Sequence, residues 1–125
     1  KDGELLGNEM APRVHNSGHW TIEGAHTSQF ENHVRAVLGL PLGDTGARGM
    51  SAMFNWIGDL PDASPVLQAI DAHWHDYGKQ ARPGRKVGHA TVCASDVGEL
   101  AARLATVGDA LGRETQVAPV LQALG

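Results

Sequence analysis

The chain has 125 residues, of which 42% are hydrophobic and 19% are charged, and its formal net charge is −4. This length allows one domain with one core, and the composition is typical of an ordinary globular protein, not of a disordered or fibrous one. The acidic balance argues against a general nucleic-acid binder, and the single cysteine, Cys93, excludes an internal disulfide and a thiolate-rich zinc site.

Localisation follows from what the sequence lacks. It contains no apolar run long enough to cross a bilayer and no leader of the secretory kind. One cysteine fits a reducing compartment. We therefore expect a cytoplasmic protein that binds neither nucleic acid nor membrane.

The first predicted element is a strand over residues 4 to 10. The dipeptide Asp2-Gly3 before it is a strong hairpin-turn signal when strand-like sequence lies on both sides. Only the downstream side is present, so we expect the antiparallel partner strand to precede Lys1 and the chain to be a fragment. Residues 11 to 27 show neither helical nor alternating periodicity, and a connection of this length favours a functional loop.

A helix is predicted to begin at Ser28, because Ser28 and Glu31 have the spacing of a capping box. Gly39 and Pro41 supply its stop. The apolar positions of this helix recur at helical spacing and predict one buried stripe, made of Phe30, Val34, Val37 and Leu38.

A buried strand is predicted over residues 51 to 58. Ser64 followed by Pro65 then predicts the N-cap and first position of a short helix that ends near His73. The stripe of this helix would consist of Val66, Leu67, Ile70 and Trp74. The segment of His73, Trp74, His75 and Tyr77 is interpreted as a helix end packed on the sheet, without chemistry of its own.

The last elements are a basic loop over residues 77 to 88, a strand over residues 87 to 94 and a long helix capped by Ser95-Asp96. The stripe of that helix is Val97, Leu100, Leu104, Val107 and Leu111. The element order βαβαβα predicts a small α+β domain with a mixed or antiparallel sheet. We divide the chain into a strand and loop (1 to 27), an α+β subdomain (28 to 111) and a tail without a motif (112 to 125).

Three groups of residues could carry chemistry, and the first runs from Asn8 to Arg13. A carboxylate near the end of a strand, Glu9, can hold a hard divalent cation while Arg13 faces a phosphate or a developing oxyanion. On spacing alone this signal is weak, because surface Glu and Arg are common.

The second group is a loop that combines imidazole, amide and hydroxyl groups with a flexible glycine, and its members are His15, Asn16, Ser17, Gly18 and His19. Such a loop is suited to hydrogen-bonding a polar ligand. His15 and His19 have the i,i+4 spacing of a helical metal pair, but Ser17-Gly18 disfavours a helix and the intervening acid is missing. A zinc site here would also need a third ligand.

The third group is a cluster of four cations within eight residues: Lys79, Arg82, Arg85 and Lys86. On a loop stiffened by proline and glycine, these side chains could clamp one phosphate monoester. A solvated charged loop is the bland alternative. Cys93, in an alternating strand, is interpreted as a small buried hydrophobe.

Together these segments resemble the 5-carboxyaminoimidazole ribonucleotide synthetases, a family of ATP-grasp ligases. Three blocks carry the resemblance in the right order, over residues 8 to 23, 27 to 43 and 82 to 89. The similarity extends from residue 2 to about residue 111. It implies the C-terminal part of an ATP-grasp fold, with a small mixed or antiparallel sheet and packed helices.

The resemblance implies an enzyme that uses ATP, Mg²⁺ and bicarbonate to carboxylate 5-aminoimidazole ribonucleotide in purine biosynthesis. The residues that match the ATP and magnesium positions are Asn8 and Glu9. Those that match the loop around the reacting centre and the ribonucleotide are Arg13, His15, Asn16 and Ser17, of which Arg13 and His15 are the expected catalytic residues. Those that match the cations on the 5′-phosphate are Lys79, Arg85 and Lys86.

In such enzymes the second magnesium carboxylate, the adenine pocket and the glycine-rich lid would lie before Lys1. The chain alone is therefore expected not to bind ATP well or to turn over. The resemblance also implies a homodimer. Two alternatives stay open: another ATP-grasp carboxylase or formyl-transferring ligase, or a non-catalytic phosphate-binding or dimerisation module.

Overall fold

A computed structural model of the chain describes residues 3–7 and 9–125. Its centre is an antiparallel three-stranded sheet in the order β1-β3-β2, formed by Met50–Ile57 (β1), Ala72–Asp76 (β2) and Lys86–Ala94 (β3). The helices are a 3₁₀ turn at Asn16–Gly18, α1 (Thr21–Gly24), α2 (Gln29–Val37), α3 (Ser64–Leu67), α4 (Val97–Ala110) and α5 (Glu114–Leu124). The predicted α+β class with a small antiparallel sheet is confirmed.

The two faces of the sheet differ in chemistry. Successive strand residues point to opposite faces, so residues paired across the strands share a face. Phe54, Ala90 and Trp74 are paired across the three strands, and they belong to the apolar core that includes Leu100 and Leu104 of α4. The neighbouring row, one residue along each strand, is polar and faces away from this core.

Local capping signals are confirmed at two helices. The Ser28 hydroxyl accepts a hydrogen bond from the Glu31 amide at 3.1 Å at the start of α2. The Asp96 carboxylate does the same for the Glu99 amide at 2.9 Å at the start of α4. The predicted stripe of α4 is buried at Leu100, Leu104 and Val107, but Val97 is exposed and Leu111 is half-buried. The strands predicted over residues 51 to 58 and 87 to 94 are confirmed as β1 and β3, with ends shifted by a residue.

The predicted burial of the α2 stripe is wrong. Val34, Val37 and Leu38 are 55%, 73% and 66% exposed, and only Phe30 is half-buried. Helical spacing determines which face of a helix is apolar but not what covers that face. In the part of the chain that the structure describes, nothing covers it.

The predicted strand over residues 4 to 10 is also wrong for the residues that are described there. Leu5, Leu6 and Met10 are exposed, and none of residues 3–7, 9 and 10 belongs to a strand. A strand is defined by hydrogen bonds to a partner strand, and no described segment pairs with this one. Lys1, Asp2 and Asn8 lie outside the described residues, so the hairpin interpretation is not tested.

The helix predicted from Ser64 to near His73 is much shorter. Ser64 is its first residue and not its N-cap; the amide and hydroxyl of Ser64 both donate to Asp62 Oδ1, at 3.0 and 2.9 Å. The helix ends at Leu67, and after Asp71, whose φ is +50°, the chain enters β2. The segment holding Trp74 is therefore a strand and not a helix end, and the predicted βαβαβα order is incorrect.

Residues 112 to 125 contain a packed helix. Val117 of α5 is buried against α4 beside Gly108, where a Cβ atom would lie 2.7 Å from Val117 Cγ2. The glycine allows the two helices to approach closely. Among the described residues, no helix is both long and apolar enough to cross a membrane.

This close approach predicts a difference between two substitutions on one helix. Gly98→Ala adds a methyl group 3.4 Å from an Asp96 carboxylate oxygen, whereas Gly108→Ala forces one against buried Val117. Both changes raise helix propensity equally. We expect Gly108→Ala to unfold at lower urea concentration, with a free energy of unfolding about 1 to 3 kcal/mol below that of Gly98→Ala because of overpacking. Equal stabilities would contradict the described contact.

Candidate functional site

The candidate site lies on the polar face of the sheet. Asn55 of β1, His89 of β3 and His75 of β2 are directly paired across the strands, and we call these three residues the polar row. The loop and short helix over residues 15 to 24 cover this row. Each member of the row holds a different part of that segment.

The first attachment is an amide pair, in which Asn16 Nδ2 donates to Asn55 Oδ1 at 2.8 Å. The third attachment is a hydrogen bond, in which His75 Nε2 donates to Glu23 Oε1 at 2.7 Å. Glu23 is on α1, so the polar row holds both ends of the covering segment.

The middle attachment passes through a tyrosine. The Tyr77 hydroxyl lies 2.8 Å from His89 Nδ1 and 2.9 Å from His19 Nδ1. One hydroxyl proton can serve only one of these nitrogens, so one imidazole accepts from the hydroxyl and the other donates to its oxygen. His89 is thereby linked to the loop residue His19.

His15 connects the loop to Glu9. Its Nδ1 accepts hydrogen bonds from the Ser17 hydroxyl at 2.8 Å and the Ser17 amide at 3.3 Å. Because Nδ1 accepts from an amide, the neutral ring carries its proton on Nε2, which donates to Glu9 Oε1. The backbone of His15 is held by Gln29 Oε1, which accepts from the His15 amide at 2.9 Å.

Of the three expected phosphate cations, Lys86 contacts this loop and Lys79 contacts Tyr77, which is bonded to the loop residue His19. Lys86 Nζ donates to Asn16 Oδ1 at 2.7 Å, and Lys79 Nζ lies 5.0 Å from the centre of the Tyr77 ring. Arg85 turns toward its own loop and donates to the Gln80 carbonyl at 3.4 Å. Glu9 and Lys86 are therefore bonded to two neighbouring residues of the same loop, Glu9 to His15 and Lys86 to Asn16.

Arg13 borders the site, but its side chain is not hydrogen-bonded to the other predicted site residues that the structure describes. Its side chain is exposed, and its recorded hydrogen bond is to the neighbouring Val14 carbonyl at 3.0 Å. It borders the same shallow depression as Glu9, His15 and Ser17. Asn8, expected at the nucleotide site, is outside the described residues.

Burial and neighbouring cations shape the titration of this site. Burial, together with the nearby His75 and His19 rings, lowers the pKa of His89 to about 4. The pKa of His19 is also lowered, first by burial and then by Lys86. Burial raises the pKa of Tyr77. These shifts favour the neutral forms of His89, His19 and Tyr77 at physiological pH, with the ammonium groups of Lys86 and Lys79 nearby.

The zinc alternative finds no support in the geometry. His15 is bound to Glu9 and Ser17, whereas His19 is bound to Tyr77, so the two rings serve different partners. Across residues 3–7 and 9–125, no three or more His, Cys, Asp or Glu side chains form a group that could hold a metal ion. Cys93 is half-buried beside Ser51, and burial raises the pKa of its thiol, which is typical of an unreactive cysteine.

Sequence reasoning missed the polar row and Tyr77. His75 and Tyr77 were interpreted as a helix end without chemistry, and Asn55 and Glu23 were given no role. The alternation of His73, Trp74 and His75 was the available signal, because it places two imidazoles on the face opposite Trp74 in a strand. Their partners follow only from the strand register.

Comparisons with known proteins agree with the resemblance. The family described as "Phosphoribosylaminoimidazole carboxylase C-terminal domain" matches residues 51–103, and the ATP-grasp domain family matches residues 1–30. The chain is 60% identical over 106 residues to N5-carboxyaminoimidazole ribonucleotide synthase of Pseudomonas aeruginosa, covering 85% of this chain and 29% of that protein.

Solved structures give the same result. The synthetase from Thermus thermophilus superposes with a TM-score of 0.80 at 63% identity, over 85% of this chain and 29% of that one. The enzyme from Aspergillus clavatus in complex with ADP and 5-aminoimidazole ribonucleotide superposes with a TM-score of 0.72 at 42% identity, over 81% and 30%. The resemblance to the C-terminal portion of these synthetases is confirmed, and the chain spans about three tenths of the length of the relatives it matches.

The buried imidazole of His89 predicts acid sensitivity of the fold. Its pKa falls from 6.5 to about 4 on folding, so between these values the unfolded chain binds a proton that the folded chain does not, and stability falls as pH falls. We expect His89→Gln to remove on the order of 3 kcal/mol of this pH dependence, measured by urea unfolding between about pH 7 and about pH 4.5.

His33→Gln is the matched control, since His33 is exposed on α2. It should keep the pH dependence of the unsubstituted chain. The same dependence in His89→Gln would show that His89 is not buried as described.

Proposed function

We propose that this chain forms the C-terminal part of an ATP-dependent ligase that carboxylates the exocyclic amine of 5-aminoimidazole ribonucleotide with bicarbonate. The products are ADP, phosphate and N5-carboxyaminoimidazole ribonucleotide, an intermediate of purine biosynthesis. One observation carries the proposal: Glu9 and Lys86 are bonded to the neighbouring loop residues His15 and Asn16. An acid suited to a metal-bound nucleotide and a cation suited to a sugar phosphate thus contact the same loop.

The phosphate end of the substrate is assigned to Lys79, Arg85 and Lys86. Lys86 and Lys79 both lie close enough to the loop residue His19 to lower its pKa. Ammonium and guanidinium groups form strong charge-assisted hydrogen bonds with phosphate oxygens. Arg85 donates to the Gln80 carbonyl at 3.4 Å. When the substrate binds, Arg85 releases this carbonyl and donates to a phosphate oxygen.

The reacting centre is assigned to His15 and Arg13, with Asn16 and Ser17 holding the ribonucleotide. The amine must lose a proton as its bond to the carboxyl carbon forms. Nδ1 of His15 is the basic atom of the neutral ring, and Glu9 stabilises the imidazolium that results. Ser17, which caps Nδ1 here, releases it and binds the substrate, while the exposed Arg13 guanidinium faces the developing carboxylate.

Glu9 is assigned to Mg²⁺ and Asn8 to the ATP site. The His15 contact uses Oε1 of Glu9, and its side chain is 60% exposed, which leaves the carboxylate open to a cation. Magnesium is usually held by one or two carboxylates together with nucleotide phosphates, so one acid without a cluster of further ligands fits it. When bound, Mg²⁺ neutralises the charge of the phosphoryl group that ATP transfers to bicarbonate.

The protein is further proposed to be a cytoplasmic homodimer. The exposed apolar side chains of α2, among them Val34, Val37 and Leu38, offer surface for association. One cysteine, half-buried in β3, suits a reducing compartment.

Substitution of the phosphate clamp gives the first test. We expect the double variant Arg85→Glu with Lys86→Glu to lose binding of 5-aminoimidazole ribonucleotide, measured by calorimetric titration. Each charge-assisted hydrogen bond contributes roughly 1.5 to 3 kcal/mol, so the dissociation constant should rise at least about a hundredfold.

The control carries the same change in net charge. Arg35→Glu with Arg48→Glu alters two cations outside the basic loop, and it should bind the ribonucleotide as the unsubstituted chain does. Equal binding by both double variants would refute the phosphate assignment.

Turnover gives the second test. In the full-length ligase, His15→Asn should lower kcat by about 10² to 10⁴, the usual range for loss of a general base, measured as ADP release that depends on bicarbonate and ribonucleotide. Gln29→Glu, which keeps an oxygen for the His15 amide, should retain activity. The 125-residue chain alone should not turn over; full activity of either the isolated chain or the His15 variant would contradict these assignments.

A further inference from the structure

Tyr77 occupies a junction that no assigned role explains. It directly follows β2, and its hydroxyl lies between His19 Nδ1 and His89 Nδ1 at 2.9 and 2.8 Å. Tyr77 thus touches the covering loop at His19 and the sheet at His89.

The ring of Tyr77 also supports a cation. Lys79 Nζ lies 5.0 Å from the ring centre, a cation–π distance. Lys86 is linked to Tyr77 through the loop. The Tyr77 hydroxyl contacts His19, the His19 amide donates to the Asn16 carbonyl at 3.1 Å, and Asn16 Oδ1 accepts from Lys86 Nζ at 2.7 Å. Two of the three cations assigned to the substrate phosphate therefore depend on Tyr77, one directly and one through His19 and Asn16.

Tyr77 is fixed by its hydrogen bond to His89, which is buried in the central strand. His89 is 1% exposed in the central strand, and the His75 ring stacks on it with centroids 4.2 Å apart and planes 11° apart. Nε2 of His89 has no hydrogen-bond partner in the described part of the chain, so the bond to Tyr77 is its recorded polar contact. A buried polar group is costly unless it is bonded, which makes this link valuable to both partners.

We propose that Tyr77, anchored by His89, is a positioning residue that sets Lys79, Asn16 and Lys86 for the substrate phosphate. The inference rests on the proposed function, which it deepens by naming what places the phosphate clamp. Tyr77 acts through these three residues and not on the reacting atoms. Its loss should therefore weaken binding of the ribonucleotide and leave the chemical step and ATP binding unchanged.

Kinetics of the full-length ligase test this role. Tyr77→Phe removes the hydroxyl and keeps the ring under Lys79, so the KM for the ribonucleotide should rise about threefold to tenfold, the range for loss of one neutral hydrogen bond. The KM for ATP and kcat should stay within about twofold of the original values. Tyr77→Leu, which also removes the ring, should raise the ribonucleotide KM further.

Two further variants separate positioning from general stability. His89→Gln keeps a polar group facing Tyr77 and should raise the same KM less than Tyr77→Phe does. Thr106→Val removes a hydroxyl from exposed α4, where it donates to the Ala102 carbonyl at 3.1 Å, and should change no kinetic constant. A purely structural role for Tyr77 would lower the apparent kcat through loss of folded enzyme and leave both KM values unchanged.

The results distinguish the two proposals. If the unsubstituted ligase does not carboxylate the ribonucleotide, the proposed function fails. If it does, but Tyr77→Phe leaves the ribonucleotide KM unchanged or lowers kcat alone, the function stands and the positioning role of Tyr77 is refuted.

Discussion

The register of the antiparallel sheet is the constraint on which the rest of the structure depends. It pairs Asn55, His89 and His75 across the three strands on one face, while Phe54, Ala90 and Trp74 are paired on the other. The apolar row packs on α4 and stabilises the domain. The polar row holds the loop that carries His15 and Asn16. One set of backbone hydrogen bonds thus fixes the core and aligns the site.

The polar face of the sheet contains buried polar atoms that lack hydrogen-bond partners in the described residues, which lowers stability. His89 Nε2, Thr91 Oγ1 and Glu23 Oε2 are buried without a hydrogen-bond partner in the described residues. Such groups each cost free energy when they are removed from water. They occur on the polar face, beneath the covering loop, where the segment from Asn16 to Glu23 must be held against the sheet. Local costs of this kind are expected where a fold supports a functional site.

The sequence predicted those parts of the molecule that short-range signals determine. The caps at Ser28 and Asp96, the strands β1 and β3, and the loop around His15 follow from neighbouring residues alone. The strand β2 was missed because Val66, Ile70 and Trp74 also fit a helical period, and a short apolar run does not distinguish the two. The contact between Lys86 and Asn16 joins positions 70 residues apart, and only the folded sheet brings them together. The roles given to the site residues came from the family resemblance and not from spacing.

The alternation of faces along β3 makes this strand unusually intolerant of length changes. Residues one position apart in β3 serve opposite purposes, since His89 faces the loop and Ala90 faces α4. A single-residue deletion within the strand would slip the pairing by one and present an imidazole to the hydrophobic interior and a methyl group to the loop. The deletion would therefore disturb the packing on α4 and the attachment of the covering loop at the same time.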